Sequence, residues 1–188
     1  MRKLKLQVQI SVDGFVARTD GQLDWTVSSD EQLWQLINEL PDSSDTLLLG
    51  RKMAEDFIPH FESFEPENVR FPFAQKMVNI PKIIFTKTLK KPFGKNTSLA
   101  KGNLTDEILE MKNQIGKDIL VYGGAGFVSS LIAGGYIDEL YLFVNPVMIH
   151  KGLRIFDLLT KEQKLTLISA TPYECGVTVL RYELKKEG

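Results

Sequence analysis

The sequence is short of cysteine, and its charges nearly cancel. Its single cysteine, Cys175, excludes a disulfide within the chain and a cysteine-rich zinc site. The 23 Lys and Arg against 24 Asp and Glu leave a formal net charge of -1, so nothing in the composition favours nucleic acid or an anionic membrane. No apolar run approaches the ~20 residues of a membrane span. The N-terminus, MRKLKLQVQI, alternates charged and apolar residues, unlike a signal peptide. We expect a cytoplasmic protein without metal, membrane or nucleic-acid partners.

The chain instead contains apolar runs separated by helical patterns. Leu4, Leu6, Val8 and Ile10 alternate with polar residues, which predicts a strand with one buried face. Further strands are predicted at residues 46–49, 82–86, 119–122 and 139–144, and a terminal hairpin at 164–171 and 177–184. Because strands alternate with helices and no linker or repeat interrupts them, we expect one α/β domain over residues 1–188. Its sheet should be mainly parallel, with a C-terminal antiparallel hairpin.

The segments between these strands give weaker signals. Ser28, Ser29 or Asp30 can cap a helix that ends at Pro41, and Thr105 or Asp106 can cap another. A short helix is predicted over residues 51–57. Residues 13–28 are predicted to form a long loop, residues 60–73 an ordered Phe- and Pro-rich loop, and residues 90–95 a solvated basic loop.

A glycine turn separates the strand at 119–122 from the helix that follows it. Gly123, Gly124, Ala125 and Gly126 stand at this point, and Phe127, Leu131 and Ile132 recur at helical spacing. A helix start after a strand offers unpaired N–H groups and the positive end of a helix dipole, which favour an anion, above all phosphate. The alternative is a tight turn whose glycines serve packing alone.

Two other strand ends carry cations. Gly50 is followed by Arg51 and Lys52, and the strand at 82–86 ends at Thr86 and Lys87. The carboxyl ends of strands in an α/β sheet share one crevice, so these groups suit a ligand with several phosphates, and NADPH better than NADH. The charges could equally be solvated. The glycine turn comes too late in the chain for an ordinary dinucleotide-binding Rossmann fold.

Together these motifs resemble a known family. The set is Ser11-x-Asp13-Gly14, Gly50-Arg51, Thr86-x-Thr88-Leu89, Gly123-Gly124-Ala125 and Asp138-Glu139-Leu140, with Pro146 and Phe156. It is similar to the dihydrofolate reductase superfamily. The closer match is the branch that includes the C-terminal reductase domain of the riboflavin biosynthesis protein RibD, and the resemblance covers about residues 3–184.

The resemblance implies a dihydrofolate reductase-like fold, NADPH as hydride donor and a homodimer. It places Arg51 near the 2′-phosphate of the cofactor and gives the other matching residues contacts with its phosphates and nicotinamide. The residues that match are Gly50, Arg51, Lys52, Thr86, Lys87, Gly123, Gly124, Ala125, Gly126 and Phe127. The chain departs from the family pattern at Met53, where Thr is usual, and at His150, where glycine is usual. His150 could face a substrate phosphate or be a surface residue.

Reduction of a C=N or C=O bond also needs a proton, which a carboxyl group of raised pKa can supply. Asp30, five residues after Trp25, resembles the substrate-binding acid of dihydrofolate reductases, and Asp13 is the second candidate. A helix N-cap and a turn are the alternative roles. The chain lacks the zinc deaminase motifs of bifunctional RibD.

We therefore expect a small-molecule reductase acting on a pyrimidine-like, pteridine-like or carbonyl compound, similar to 5-amino-6-(5-phosphoribosylamino)uracil reductase. A dihydrofolate reductase and a non-catalytic nucleotide-binding dimer remain the alternatives.

Overall fold

A single β-sheet runs through the computed structural model, which describes residues 1–27 and 29–185. Within this part of the chain the strands are β1 (Leu4–Ser11), β2 (Ser44–Gly50), β3 (Lys82–Phe85), β4 (Thr97–Leu99), β5 (Asp118–Gly123), β6 (Glu139–Asn145), β7 (Leu165–Pro172) and β8 (Thr178–Leu184). Their order across the sheet is β4-β3-β2-β5-β1-β6-β8-β7. The six strands from β4 to β6 in this order are parallel, whereas β8 runs antiparallel to both of its neighbours.

Helices connect most of the parallel strands. In the described residues they are α1 (Glu31–Asp42), α2 (Arg51–Glu62), α3 (Phe71–Asn79), α4 (Leu104–Asn113) and α5 (Ala125–Ala133). Parallel neighbours need such crossovers, because a two-residue turn cannot reverse the chain and restart it in the same direction. The predicted fold class, an α/β domain with a mainly parallel sheet and a C-terminal antiparallel hairpin, is confirmed.

The core lies on both faces of the sheet. Successive side chains of a strand point to opposite faces, so Leu47 and Leu49 pack in the cluster with α1, α2 and α3, while Leu48 packs in the cluster with α4 and α5. Apolar runs such as Leu47–Leu49 are typical of parallel strands covered on both sides. No helix among the described residues is long and apolar enough to span a membrane.

Strand β1 is more deeply buried than its alternating pattern predicts. It lies between β5 and β6, and Lys5 and Gln7 are buried like their apolar neighbours Leu4 and Leu6. The expectation of one solvent-facing side was wrong, because a central strand is covered by helices on both faces. Its polar side chains therefore lie within the protein, on the face that α1, α2 and α3 cover.

Several boundaries differ from the sequence-based expectations. The predicted loop 60–73 is helical at both ends, because α2 continues to Glu62 and α3 begins at Phe71, and only residues 63–70 form a loop. Phe73 is buried, so tertiary packing orders a segment that lacks a clean helical period. Helix α1 extends one residue past Pro41, and α4 is capped by Asn103 rather than by Thr105 or Asp106.

Other expectations concern loops and edges. The short strand β4 was not predicted at all. Residues 12–27 form the predicted long loop, with only one isolated bridge, between Ala17 and Leu153. The N-cap candidate Ser28 lies outside the described residues.

Candidate functional site

Three neighbouring strands bring the predicted cofactor groups to one edge of the sheet. β3, β2 and β5 are adjacent and parallel, and they end at Phe85, Gly50 and Gly123. Their carboxyl ends therefore face the same side, with α2 and α5 beginning directly after two of them. The predicted cofactor groups therefore lie on neighbouring elements, and the crevice itself stays a prediction.

Glycines let these two strand ends approach each other closely. A Cβ atom on Gly50 would lie 2.8 Å from Cβ of Phe127, and one on Gly124 would lie 3.3 Å from Cα of Gly50. Gly124 also has a φ of +96°, a conformation that side chains disfavour. The packing role of the glycines is therefore real, and the same compactness brings two helix N-termini together.

These two helix starts have no side-chain cap. The N-cap residues of α2 and α5 are Gly50 and Gly124, and neither helix receives a capping hydrogen bond from that residue's side chain. By contrast, Asp30 caps α1 and Asn103 caps α4 through their side-chain oxygens. The first N–H groups of an α-helix need a partner outside the helix. At α2 and α5 these donors face the shared strand edge, so an anion there can accept from them.

The cations beside this edge are accessible to a ligand. Arg51 donates from Nη1 to both carboxylate oxygens of Glu55, at 2.8 and 3.0 Å, which partly offsets its unfavourable place at the helix start. Such an exposed pair contributes only about 0.3–0.5 kcal/mol, so a phosphate can compete for the guanidinium. Lys52 and Lys87 are exposed.

At the end of β3, the side chains of Thr86 and Phe127 make contacts within the protein. Thr86 accepts hydrogen bonds at Oγ1 from the backbone N–H groups of Thr88 and Leu89, at 3.1 and 3.0 Å. Phe127 is half-buried and stacks on Phe85 at a centroid distance of 4.7 Å. Val128 takes the buried place that helical spacing gave to Phe127, so Phe127 joins β3 to α5 at the edge itself.

Asp30, the leading proton-donor candidate, serves as the N-cap of α1. Its Oδ1 accepts from the N–H of Leu33 at 2.9 Å, and its Oδ2 accepts from the N–H of Cys175 at 3.4 Å. The backbone N–H of Leu33, and more weakly that of Cys175, hold the pKa of Asp30 below its usual value. A carboxyl group that donates protons needs a raised pKa. The cap alternative is what the geometry shows, and the proton-donor role stays a prediction.

A recess of about 350 Å³ lies beside this carboxylate. It is lined by Ser29, Asp30, Glu31, Gln32, Glu174 and Cys175. The N-terminus of α1 and the β7–β8 turn therefore form its walls.

Asp13 ties two loops together at the end of β1. It accepts from the Ser11 hydroxyl at 2.7 Å and from the N–H groups of Ile149 and His150 at 3.1 and 2.8 Å. The Ser11 hydroxyl, together with these backbone groups, lowers the pKa of Asp13. The alternative of a turn-forming role accounts for all these contacts.

In the loop that follows Pro146, His150 occupies a position whose backbone conformation suits glycine. His150 is exposed and has a φ of +67°, which identifies a position that suits glycine. Gly152, which the chain retains, has no room for a side chain, because a Cβ there would lie 2.2 Å from the carbonyl oxygen of Ala17. The backbone conformation at position 150 therefore favours the glycine that the resemblance led us to expect there.

Sequence reasoning missed the polar residues at the ends of β1 and β6. Asn145 is fully buried; its Oδ1 accepts from the N–H of Val27 at 2.8 Å, and its Nδ2 donates to Gln9 Oε1 at 2.7 Å and to the Phe143 carbonyl at 2.9 Å. A polar residue that ends an apolar run just before Pro146 was the available signal.

A cluster of aromatic rings lies on the face of the sheet that α1, α2 and α3 cover. Phe57 packs edge-on against Tyr122 at a ring-centroid distance of 5.2 Å and tilted against Phe61 at 4.5 Å, and Phe61 packs edge-on against Phe73 at 5.8 Å. Phe57 and Phe61 belong to α2, Tyr122 to β5 and Phe73 to α3. Phe61 and Phe73 lie in the segment 60–73 that was predicted to be a loop. These rings form part of the hydrophobic core between the sheet and helices α1, α2 and α3.

Comparisons with known proteins agree with this architecture. The family described as RibD C-terminal domain matches residues 2–179. The uncharacterized protein YyaP of Bacillus subtilis is 26% identical over 186 residues, which cover 96% of this chain and 94% of YyaP.

Solved structures share the fold. A Shewanella sp. PV-4 protein assigned to riboflavin biosynthesis matches with a TM-score of 0.78 and 22% identity, over 99% of this chain and 100% of that one. Dihydrofolate reductase from Enterococcus faecalis, solved with NADP(H), matches with a TM-score of 0.66 and 15% identity, over 98% and 97% of the two chains.

Proposed function

Because the chain belongs to the RibD C-terminal domain family, a family of reductase type, we propose that it is an NADPH-dependent reductase. Its substrate would be a pyrimidine-like, pteridine-like or carbonyl compound, as for 5-amino-6-(5-phosphoribosylamino)uracil reductases. The observation that carries this proposal is the pair of helices α2 and α5. Both start at glycine without a side-chain cap, and they begin next to each other at the carboxyl edge.

The residues at this edge fit the cofactor. The first N–H groups of α2 and α5 would hold its pyrophosphate, since both helix starts offer donors and the positive end of a dipole. Arg51 and Lys52 would bind the 2′-phosphate, with Lys87 beside the adenosine end. Space is open above Gly126, where an added Cβ would meet no atom within 4 Å. When bound, the cofactor supplies the hydride.

In this proposal the carboxylate of Asp30 binds the substrate. Because hydrogen bonds lower the pKa of Asp30, its carboxylate stays ionised near neutral pH and can accept a hydrogen bond from a substrate N–H. The proton for the reduced heteroatom would then reach the substrate through water in the adjacent recess. This assignment replaces proton donation by Asp30 with substrate binding.

Calorimetry with NADPH and NADH tests the cofactor assignment. Arg51→Ala should weaken NADPH binding about 10- to 100-fold, because a charge-assisted contact with the 2′-phosphate is lost. NADH affinity should stay the same. Arg18→Ala is the matched control, since Arg18 also pairs with a carboxylate, Asp24 at 2.6 Å, but lies in the long loop.

The outcomes separate the alternatives. No NADPH binding to the wild-type protein would refute the reductase proposal. Equal weakening of NADH and NADPH by Arg51→Ala would refute the 2′-phosphate assignment alone. If NADPH binds but is not oxidised with 5-amino-6-(5-phosphoribosylamino)uracil or with dihydrofolate, the non-catalytic nucleotide-binding alternative is favoured.

We also propose that the partner is a second copy of the chain. β7 is an edge strand exposed along all eight residues, and it carries Leu165, Leu167 and Ile168 in exposed positions. An edge strand with exposed apolar side chains invites pairing with another chain. Light scattering after gel filtration should give twice the mass of 21.3 kDa, and Leu167→Lys should return the protein to monomer.

A further inference from the structure

The hairpin formed by β7 and β8 has two chemically different faces. Residues that pair across neighbouring strands point to the same face of a sheet. One face is mainly polar, and its pairs are Thr166–Glu183, Ser169–Arg181 and Thr171–Val179. The other face is almost entirely apolar, and its pairs are Leu165–Leu184, Leu167–Tyr182, Ala170–Leu180 and Pro172–Thr178. We call Leu165, Leu167, Leu180, Tyr182 and Leu184 the leucine face.

The leucine face continues the side of the sheet that α4 and α5 cover. Leu142 of β6 is opposite Leu180 and packs against the cluster with these two helices. The leucines of the leucine face, however, belong to neither core cluster of the described residues. Leu165 is 39% exposed and Leu167 is 52% exposed. Because the apolar face of a sheet is normally covered by a second layer, this one lacks a cover within the part of the chain that the structure describes.

The segment that leads into β7 adds to this apolar surface. Ile155 packs in the cluster with α4 and α5, and Gln163 Nε2 donates to the Ile132 carbonyl of α5 at 2.7 Å. The residues between them therefore lie on the same side of the sheet as the leucine face. Leu158 and Leu159, in this segment, are 52% and 36% exposed. An apolar surface that extends over two strands and a neighbouring segment marks an interaction site, unlike single exposed leucines.

The homodimer proposed above can form along the edge of β7 or through this face. The register between β7 and β8 shifts at Ile168, since Leu167 is opposite Tyr182 and Ser169 is opposite Arg181. An extra residue of this kind bends and twists an edge strand, which works against pairing with the strand of another chain. The leucine face has no such obstacle.

Resting on the homodimer proposed above, we infer that two copies pack their leucine faces against each other as two β-sheets, related by a two-fold axis. Charge favours a second copy as the occupant. No side chain of the leucine face is charged, and Arg181 and Glu183 of β8 lie on the opposite face. An identical face therefore meets no like charge, whereas a partner recognised through its charge finds no counterpart. Sheets packed face to face lie about 10 Å apart, a gap that leucine and tyrosine side chains fill.

Sedimentation equilibrium of two neighbouring lysine variants tests this inference. Leu165→Lys should raise the dimer dissociation constant at least about 100-fold, because it places a charge between the two apolar faces. Thr166→Lys is the matched control, since it is the next residue of the same strand but points to the polar face. Its dissociation constant should stay within about threefold of the wild-type value. Pairing along the β7 edge uses backbone groups and would treat the two variants alike, so equal constants would overturn the inference.

A position inside the sheet gives a second test. Leu180 belongs to β8, one strand away from the edge, and Leu180→Lys should also dissociate the dimer. Cooperative thermal unfolding shows whether this variant is folded. A folded Leu180→Lys protein that dimerises as tightly as the wild type would contradict the face-to-face arrangement. If Leu180→Lys does not fold, the comparison of Leu165→Lys with Thr166→Lys still decides, because both residues are exposed in the single chain.

The wild-type protein separates this inference from the proposals on which it rests. A wild-type mass of 21.3 kDa at all concentrations would refute the homodimer and the leucine-face contact together. A dimer that survives Leu165→Lys would refute the leucine-face contact alone. Calorimetry with NADPH on the same wild-type sample decides the reductase proposal separately.

Discussion

The two halves of the sheet's carboxyl edge are built from different chemical groups. At β2 and β5, the available groups are backbone N–H donors exposed by Gly50 and Gly124. At β1 and β6, side chains such as Asp13 and Asn145 are already bound to backbone and to other side chains. The first half therefore offers backbone donors at its helix starts, whereas the second is a network of polar side chains that bind one another.

The largest loss of stability is expected from replacing Asn145, which lies at the centre of the polar network at the ends of β1 and β6. Asn145→Leu should lower the free energy of unfolding by about 2–4 kcal/mol, because the partly buried N–H of Val27 and Oε1 of Gln9 both lose a partner. Urea denaturation measures this loss. Asn113→Leu, at an exposed position, should change it by no more than about 0.5 kcal/mol. A loss for Asn145→Leu as small as this would show that the network is not closed.

A smaller loss of stability than for Asn145→Leu is expected from a change at the β2 and β5 edge, which we call the open half. There we also expect an effect on NADPH binding. Gly124→Ala should cost about 1–3 kcal/mol, from its φ of +96° and from the approach of the new Cβ to Gly50. Gly135→Ala is the matched control, because Gly135 has a φ of +68° but open space around it. Only Gly124→Ala should weaken NADPH binding. Equal NADPH affinity of the two variants would count against an anion site at α5.

The smallest effect is expected at the link between β1 and the loop after β6. His150→Gly should stabilise the protein by about 0.5–1 kcal/mol, because glycine adopts a φ of +67° without steric cost. The backbone N–H that donates to Asp13 is retained in this variant. Denaturation with urea measures the gain, and NADPH affinity should not change. A loss of stability would mean that the imidazole ring makes contacts that outweigh the backbone conformation.

The sequence was sufficient for seven of the eight described strands and for the strand ends and helix starts at β2 and β5. Apolar runs such as residues 46–49 and the glycines after them are local signals, so strand ends, helix starts and their common edge could be predicted. Helix α3 could not, because Phe71 and Phe73 follow no helical period; Phe73 is ordered by packing against Trp34 of α1 and Phe61 of α2.

The polar network at the ends of β1 and β6 depends on contacts that no local pattern contains. Gln9 and Asn145 are 136 residues apart, and their hydrogen bond exists only because β1 and β6 are neighbours. The alternation of polar and apolar residues in β1 predicted a polar face in contact with solvent. Its polar side chains face inward because β1 lies in the middle of the sheet. Asp30 shows a third limit, since one carboxylate fits both a cap and an acid until its partners are known.

The helix starts of α2 and α5 have a consequence for how this molecule can change over generations. Every residue except proline carries the same backbone N–H, so most substitutions there leave the donors in place, provided that Gly50 and Gly124 keep the turn. A contact that depends on a side chain, by contrast, is lost with a single mutation. Backbone donors of this kind therefore persist through sequence changes that would remove a contact made by a side chain.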